Sequence, residues 1–346
     1  MTNFLIFSLI LANNNFRTMN LRNNLIILAA ALCTMSGCAS SATKKAETVQ
    51  PQEKQAVVPS IQFNADSAYA YVAAQCAFGE RVPNTEAHRK CGDYLAGELR
   101  RRGAKVTEQN ADLKAFDGTV LKARNIIGEF YPEKPNRILL LAHWDCRPWA
   151  DHDPNPDNRK KPVMGANDGA SGVGVLLEIA RLLQQHEPQA GIDILFTDAE
   201  DWGASDGSEE SWALGTQYWV STPHRSGYTY PSFGILLDMV GDKNAVFARE
   251  YFSQAYAGSI VDKVWETAAS LGYSDRFVNR EGGAMTDDHV FVIKAGIPCI
   301  DIIDQRTDTP TGFCPQWHTT FDTMNLIDRS TLKAVGQTVT TLLLGK

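Results

Sequence analysis

The chain has 346 residues, of which 44% are hydrophobic and 21% are charged, a composition typical of a globular protein. Its formal net charge of −7 disfavours nucleic acid as a partner. The length accommodates one large α/β domain or two small ones, so the order of the predicted elements decides between them.

The first 38 residues have the pattern of a targeting segment. Translation can start at Met1 or at Met19, and from Met19 a single arginine precedes a short apolar run over residues 25–32. The sequence MSGC, which ends at Cys38, resembles a lipobox, the site where bacterial lipoprotein precursors are lipidated and cleaved. An uncleaved signal or a plain membrane anchor is the alternative, but the apolar run is short for a membrane-spanning helix.

Residues 39–60 are polar and poor in large apolar side chains, which predicts a flexible tether. A lipid on Cys38 would hold the protein in the bacterial cell envelope, on the periplasmic side, and residues 61–346 would form a single catalytic domain. An exported protein meets an oxidising compartment. Cys76 and Cys91 flank a predicted turn, so the sequence is compatible with a disulfide between them or with two buried free thiols.

The rest of the chain alternates between helical and strand-like segments. Helices are predicted over residues 65–78 and 84–102, followed by a hairpin with its turn at Asp117-Gly118. Apolar strands are then predicted over residues 137–143, 192–198, 233–240 and 298–304, and helices over about 169–185, 258–271 and 330–344. This order predicts an α/β fold with a mixed, mostly parallel, twisted central sheet flanked by helices.

Polar side chains close several of these strands. His143 ends the first, Glu200 and Asp201 follow the second, and Asp238 follows the third. Ligand sites in such sheets lie beyond the carboxyl ends of the strands, so these side chains are expected to converge. With Asp198, three carboxylates fall within four residues, and they would repel each other unless a cation or a proton lay between them. Zinc takes nitrogen and oxygen ligands, commonly His with Asp or Glu.

Several short motifs resemble the zinc aminopeptidase superfamily and occur in its order from about residue 60 to the C-terminus. They are NIIG (125–128), HWD (143–145), NDGASG (167–172), AED (199–201), LLDMVG (236–241), DDHVFVIKAGIP (287–298) and WHT (317–319). The resemblance implies a zinc-exopeptidase-like fold. In members with two metals, it implies that Asp168 bridges both ions. His143 and Asp238 would complete one site, and Asp201 and His318 the other.

The last motifs are closer to the glutaminyl-peptide cyclotransferases, which resemble these aminopeptidases but use one zinc. An acid, Asp287, stands two positions before His289, and Trp317 directly precedes His318. The segment after Asp201 is also rich in aromatic side chains. Asp201 itself departs from the animal enzymes, which have a glutamate at this position.

The resemblance implies an enzyme that converts the N-terminal glutamine of peptides and proteins to pyroglutamate and releases ammonia. One zinc ion per chain is then expected, with the ligands Asp168, Asp201 and His318. Glu200 would carry a proton from the substrate's α-amine to the departing ammonia, supported by Asp287 and Asp238. The pocket for the glutamine side chain would be lined by Trp317 and by either Trp202 or Trp212.

Two other functions remain open at this point. A two-zinc aminopeptidase is compatible with the sequence because every ligand type that it needs is present, and a non-enzymatic binding lipoprotein could share the fold. The metal-like residues Asp151, His152 and Asp153 lie in a Pro- and Asn-rich stretch, which predicts a solvated loop. His289 is expected to orient Asp287 or the backbone rather than to bind zinc.

Overall fold

The structure is a computed structural model, in which residues 56–205 and 207–345 are described. The predicted leader, its lipidation site Cys38 and most of the tether lie outside these residues, so those expectations stay predictions. The helices and strands are α1 (Ala65–Cys76), α2 (Glu86–Arg101), β1 (Lys105–Lys114), β2 (Val120–Phe130), β3 (Arg137–His143), α3 (Ala170–Leu183), β4 (Gly191–Thr197), α4 (Leu214–Ser221), β5 (Phe233–Asp238), β6 (Phe247–Arg249), α5 (Tyr251–Ser270), β7 (Phe277–Glu281), α6 (Asp288–Lys294), β8 (Cys299–Ile303) and α7 (Arg329–Leu344).

A six-stranded sheet with the order β1-β2-β4-β3-β5-β8 forms the centre of the fold. Strands β4, β3, β5 and β8 run parallel, whereas β1 and β2 are antiparallel to each other and β2 is antiparallel to β4. The mixed, mostly parallel sheet with a hairpin at one edge is therefore confirmed. Because the four parallel strands point the same way, their carboxyl ends meet at one edge of the sheet.

Helices bury both faces of the sheet. Leu140 and Ile194 belong to the apolar cluster that includes α1, α3 and α7, whereas Leu139 and Leu195 face the cluster that contains Trp219 of α4. Side chains alternate between the two faces of a strand, so a strand covered on both sides must be apolar at nearly every position. This requirement explains why the short apolar runs of the sequence coincide with the central strands.

The prediction was wrong about the start of α5 and missed four short elements. Helix α5 begins at Tyr251, where the side chain of Glu250 accepts hydrogen bonds from the first backbone N–H groups, and it is interrupted by a non-helical Ala257 (φ −141°, ψ 31°). The predicted helix therefore covers only the part beyond this kink. Helices α4 and α6 and strands β6 and β7 span at most eight residues each, too short for hydrophobic periodicity to identify them.

The described cysteines are free thiols, so the disulfide left open for Cys76 and Cys91 is not formed, although Cys76 is only partly buried. Cys91 is buried, and burial raises the pKa of its thiol to about 12. Among residues 56–205 and 207–345, no helix combines the length and the hydropathy required to cross a bilayer.

Candidate metal centre and active site

The three acids that follow β4 have different surroundings. Asp198 is fully buried, and its two carboxylate oxygens each lie 2.9 Å from Nε2 of His88. Its carboxylate also accepts a hydrogen bond from the N–H group of Ala199, which adopts a left-handed conformation with φ of 53°. The chain turns here and directs Glu200 and Asp201 to the cavity at the sheet edge. Asp198 therefore holds the turn in place, and Glu200 and Asp201 are the two acids whose carboxyl groups reach the cavity.

Asp145 fixes the orientation of the same turn. Its carboxylate oxygens accept hydrogen bonds from the backbone N–H groups of Glu200 and Asp201, both at 3.2 Å. Asp145 Oδ1 also lies 3.5 Å from Nδ1 of His143, which links the turn to the end of β3. The HWD motif thus supplies a positioning residue to which the sequence had assigned no role.

Asp168, Asp201 and His318 come together as a buried donor set. Nε2 of His318 lies 3.2 Å from Asp201 Oδ1 and 3.5 Å from Asp168 Oδ2, and one donor atom of each residue falls within 4.8 Å of the others. Burial and the neighbouring Asp168 carboxylate raise the pKa of Asp201 to about 6. One nitrogen and two oxygen donors, with Arg147 3.8 Å from Asp201 Oδ1 as a neighbouring positive charge, fit a zinc site with three protein ligands and an open fourth position.

A second layer of groups holds these donors. Nδ1 of His318 lies 3.4 Å from Asp151 Oδ1, and Asp151 Oδ2 accepts a 2.7 Å hydrogen bond from Arg147. The backbone N–H group of Asp168 donates to Asp322 at 3.0 Å. Partners of this kind orient the ligands of metal sites and set the tautomer of a coordinating histidine. Burial acts against the charged form of Asp151, but His318 and Arg147 outweigh it and hold its pKa well below the ordinary value.

The prediction of a solvated loop is wrong for Asp151 and Asp153. Asp153 is fully buried, and its carboxylate accepts hydrogen bonds from the hydroxyl group (2.6 Å) and the N–H group (3.0 Å) of Thr320. The ring of the exposed His152 lies 4.5 Å from the ring of Trp317. The Pro- and Asn-rich composition indicates a loop correctly, but it cannot show that the segment after His318 packs against that loop.

His143 contributes to a second donor set that shares Asp168. Nε2 of His143 lies 3.0 Å from Asp168 Oδ1 and 3.2 Å from Asp238 Oδ1. The donor atoms of these three buried residues also fall within 4.8 Å of one another. Asp168 therefore lies between the two sets, which is the arrangement implied for the two-metal members of the superfamily.

The donor sets open into a cavity of about 230 Å³. Its described lining includes the acids Glu200, Asp238 and Asp287 and the aromatic residues Trp212, Phe313 and Trp317. The rings of Trp317 and His318 stack with their centres 3.8 Å apart, and Trp212 lies nearly parallel to His318 at 6.2 Å. The cavity is thus bounded by flat apolar faces on one part of its wall and by carboxyl groups on another.

Of the two tryptophans that the sequence could not separate, Trp212 lines the cavity. Trp202, the other alternative, is not among the described residues that line this cavity. Its indole N–H group donates to Asp117 at 3.2 Å, and its ring packs against Trp149 with ring centres 5.7 Å apart. The chain reverses direction between residues 202 and 212. Only the structure shows that the ring of Trp212, and not that of Trp202, lies near the proposed metal ligands.

Glu200 and Asp287 are buried acids that face this cavity together. Burial and the neighbouring Asp287 raise the pKa of Glu200 well above its ordinary value, and burial together with Asp238 does the same for Asp287. One oxygen of Asp287 accepts a hydrogen bond from the N–H group of Asp288 and so begins α6. Buried acids whose pKa is raised towards the working pH are suited to transferring protons.

A chain of buried groups continues behind Asp287. Asp287, His289 and Asp301 have donor atoms within 4.8 Å of one another. Burial and the neighbouring Asp287 carboxyl group raise the pKa of Asp301 well above its ordinary value. On its other side, Nε2 of His289 lies 3.1 Å from Glu250 Oε2. His289 is thus placed among the groups that support Asp287.

Backbone strain is concentrated at the site. Ala199, Met239 and His318 all have φ values between 48° and 54°, in the left-handed region that residues with side chains seldom adopt. Each is a site residue or directly adjoins one. Such conformations cost about 1–3 kcal/mol apiece and persist where the surrounding structure imposes them, often at functional sites.

The sequence profile of Peptidase family M28 matches residues 125–343, which is more than half of the chain. The chain belongs to peptidase family M28. The matched region extends from β2 into α7 and includes Asp168, Asp201 and His318. The resemblance to the zinc aminopeptidase superfamily is therefore confirmed.

Two solved structures resemble this M28 chain closely. The Bacteroides thetaiotaomicron glutaminyl cyclase bound to N-acetylhistamine is 54% identical and has a TM-score of 0.80, with 83% of this chain and 99% of that chain covered. A zinc-dependent exopeptidase from Parabacteroides distasonis is 56% identical and has a TM-score of 0.81, with the same shares covered. The second supports zinc as the metal and an exopeptidase-like fold, and the first has the same fold as this chain.

Among curated relatives, the glutaminyl-peptide cyclotransferase of Boiga irregularis is 24% identical over 242 residues. The match covers 62% of this chain and 62% of that protein. The chain thus spans somewhat less than two thirds of the length of this more distant relative.

Sequence reasoning missed several residues of this M28 site, namely Asp145 and Asp322, described above, and Asp301, Glu250 and Phe313. Asp301 is a single acid within the apolar strand β8, a signal that could have marked it as unusual. Glu250 is the N-cap of α5, whose start was predicted at about residue 258, so nothing indicated this cap or its contact with His289. Phe313 stands four positions before Trp317 without any motif of its own.

Proposed function

We propose that the protein is a zinc-dependent glutaminyl-peptide cyclotransferase, which converts the N-terminal glutamine of peptides and proteins to pyroglutamate and ammonia. The observation that carries this proposal is the pair of buried acids, Glu200 and Asp287, that faces the cavity beside the donor set. Cyclisation must remove a proton from the α-amine and return one to the leaving nitrogen. The 54% identity to a solved glutaminyl cyclase supports the same function.

One zinc ion per chain is proposed, held by Asp168, Asp201 and His318. Zinc bound there would polarise the γ-amide carbonyl of the glutamine and stabilise the negative charge that develops on its oxygen. The Asp151 contact keeps the His318 ring oriented, and the Asp322 contact holds the backbone of Asp168. The chain's own contribution is therefore a pre-oriented ligand set.

In the proposed reaction, the substrate's α-amine nitrogen forms a bond to the γ-amide carbon, and the bond from that carbon to the amide nitrogen breaks. Glu200 accepts a proton from the amine and delivers a proton to the departing nitrogen, which leaves as ammonia. No water molecule is consumed. Asp287, whose pKa is raised, can stay protonated and donate a hydrogen bond to Glu200 or to the substrate while the proton moves.

The aromatic walls serve the same chemistry. Trp212, Phe313 and Trp317 bound a cavity of about 230 Å³, which suits one glutamine side chain. Flat apolar walls exclude water from the reacting amide, and exclusion matters because attack by water would yield glutamate instead of the ring. They also strengthen the electrostatic interactions of the buried acids.

A two-zinc aminopeptidase is the second candidate, and the donor set of His143, Asp168 and Asp238 is the observation that favours it. The two functions differ in what His143 does. In a one-zinc cyclotransferase, His143→Ala should retain zinc and a measurable rate of ammonia release, whereas His318→Ala should lose both. In a two-zinc aminopeptidase, both variants should lose metal, and the unsubstituted protein should hold two zinc ions in elemental analysis.

The location of the protein is part of the proposal. We propose that the chain is a lipoprotein of the bacterial cell envelope, anchored through Cys38 and facing the periplasm. The MSGC sequence after a short apolar run supports lipidation, and the polar residues 39–60 would separate the lipid from the catalytic part. Peptides with N-terminal glutamine in that compartment would be its substrates.

A further inference from the structure

A second cavity, of about 360 Å³, lies beside the active-site cavity. Its described lining consists of His152, residues 308–311, Cys314, Pro315 and Trp317. Trp317 lines both cavities, so its indole ring is a shared wall. The volume falls within the range of about 300–1,000 Å³ that is usual for small-ligand pockets.

One wall of this second cavity is a loop that the protein holds firmly in place. The loop follows β8, and at its start the guanidinium of Arg306 bonds to Asp304 at 2.8 and 2.9 Å and to Asp242 at 3.0 Å. The hydroxyl group of Thr309 donates to the carbonyl of Phe313 at 2.7 Å, which closes the loop on itself. The cavity is therefore a built feature rather than a gap beside a loose segment.

The opposite wall is anchored as well. His152 contacts Trp317 with ring centres 4.5 Å apart, and the neighbouring Asp153 is tied to Thr320 by two hydrogen bonds. Phe313 contacts Trp317 from the loop, with ring centres 4.6 Å apart. Trp317 is thus supported by both loops while it bounds the two cavities.

Few charged side chains are found among the described residues that line the second cavity. Asp308 is exposed and supplies the single carboxyl group among the described residues that line it, and no lysine or arginine is among them. The remaining lining is aromatic, proline or small. A cavity lined by an exposed carboxylate and a tryptophan ring favours a cationic side chain over an anionic one.

Because Trp317 lines both cavities, a peptide whose glutamine side chain occupied the active-site cavity could continue past this ring into the second one. One further residue in extended conformation advances the chain by about 3.3–3.6 Å and carries its side chain to one side. On the basis of the proposed cyclotransferase function, we propose that the second cavity binds the side chain that follows the glutamine. Asp308 makes this subsite favour a cationic side chain over an acidic one.

The test compares peptides that have a free N-terminal glutamine and an amidated C-terminus, with Lys, Ala or Glu as the second residue. The readout is the kcat/KM of the full-length protein for each peptide. We expect the Lys peptide to exceed the Glu peptide by about two- to five-fold, the size of an exposed charge pair, and the preference to shrink at high salt. Asp308→Asn should bring the Lys-to-Glu ratio towards one. The matched control is Asp275→Asn, an exposed acid that lines neither cavity, which should keep the ratio.

A second variant probes the shape of the subsite. Thr311→Phe narrows the cavity and should raise KM for a peptide with Phe after glutamine more than KM for one with Gly. If Asp308→Asn keeps the Lys-to-Glu ratio and Thr311→Phe raises both KM values equally, the subsite assignment is wrong although cyclisation persists. If the unsubstituted protein cyclises none of these peptides, the proposed cyclotransferase function is wrong. The subsite proposal, which rests on that function, is then wrong as well.

Discussion

Nδ1 of His318 lies 3.4 Å from Oδ1 of Asp151, and this contact leaves the other ring nitrogen facing Asp168 and Asp201. We infer that Asp151 orients the His318 ring, so that Nε2 is the nitrogen available to a metal beside Asp168 and Asp201. Its carboxylate is in turn fixed by Arg147, which also contacts the ring of Trp212. A loop that the sequence marks as solvent-exposed therefore governs the geometry of the proposed zinc site.

Asp151→Asn should weaken zinc binding without unfolding the protein. The amide cannot hold the His318 ring as a carboxylate does, and the loss of such a partner typically costs about 10- to 100-fold in metal affinity. Competition with a fluorescent chelator would measure it. Asp157→Asn, which changes an exposed acid of the same loop, is the control. Equal zinc affinity in Asp151→Asn and Asp157→Asn would show that Asp151 does not position the ligand.

Glu200→Gln and Asp201→Asn should have different effects although the residues are adjacent. Glu200→Gln should retain zinc and lose about 100- to 10,000-fold in turnover, because an amide cannot carry the proton. Asp201→Asn should lose zinc itself, because a neutral amide is a poorer ligand than a carboxylate. Elemental analysis and ammonia release would be measured on both variants. A Glu200→Gln protein that has lost its metal, or turns over at the parent rate, would contradict the division of roles.

Zinc affinity should fall as the pH falls through about 6. The metal-free protein holds a proton on Asp201 with a pKa of about 6, and Asp201 and Asp151 raise the pKa of His318 against the opposing effect of burial. A raised pKa means that protons compete with zinc at a higher pH than usual. For each proton that zinc must displace, the zinc affinity falls about tenfold for every pH unit below the pKa of that ligand. Chelator competition between about pH 8 and pH 5 would measure this. A constant affinity over that range would refute it.

Cys38→Ala should release the protein from the membrane and leave its kcat/KM unchanged. The lipid on Cys38 is the sole proposed attachment to the membrane, and the polar residues 39–60 would separate it from the catalytic part. Fractionation of cells that express each form, with ammonia release assayed in the soluble and membrane fractions, would test it. Persistent membrane association of Cys38→Ala would indicate a retained signal helix instead.

The sequence predicted the central sheet because strands buried on both faces are apolar at nearly every position. The resemblance carried by its motifs implied Asp168, Asp201 and His318 as one ligand set, and the structure brings them together: Asp201 follows β4, Asp168 precedes α3, and His318 lies in the segment between β8 and α7. Trp202 could not be distinguished from Trp212, since the fold of the intervening loop decides which ring returns to the cavity. Asp301 was missed because its proximity to Asp287 depends on how α6 packs beside β8, which no local pattern records.

The most direct test of the central claim is the identity of the products formed from one glutamine-led peptide, such as Gln-Ala-Ala amide. The purified zinc-loaded protein should convert it to the pyroglutamyl peptide and release one ammonia for each peptide consumed. Mass spectrometry with an ammonia assay would record both products. Release of free glutamine and the shortened peptide, without ammonia, would contradict the cyclotransferase and identify an aminopeptidase.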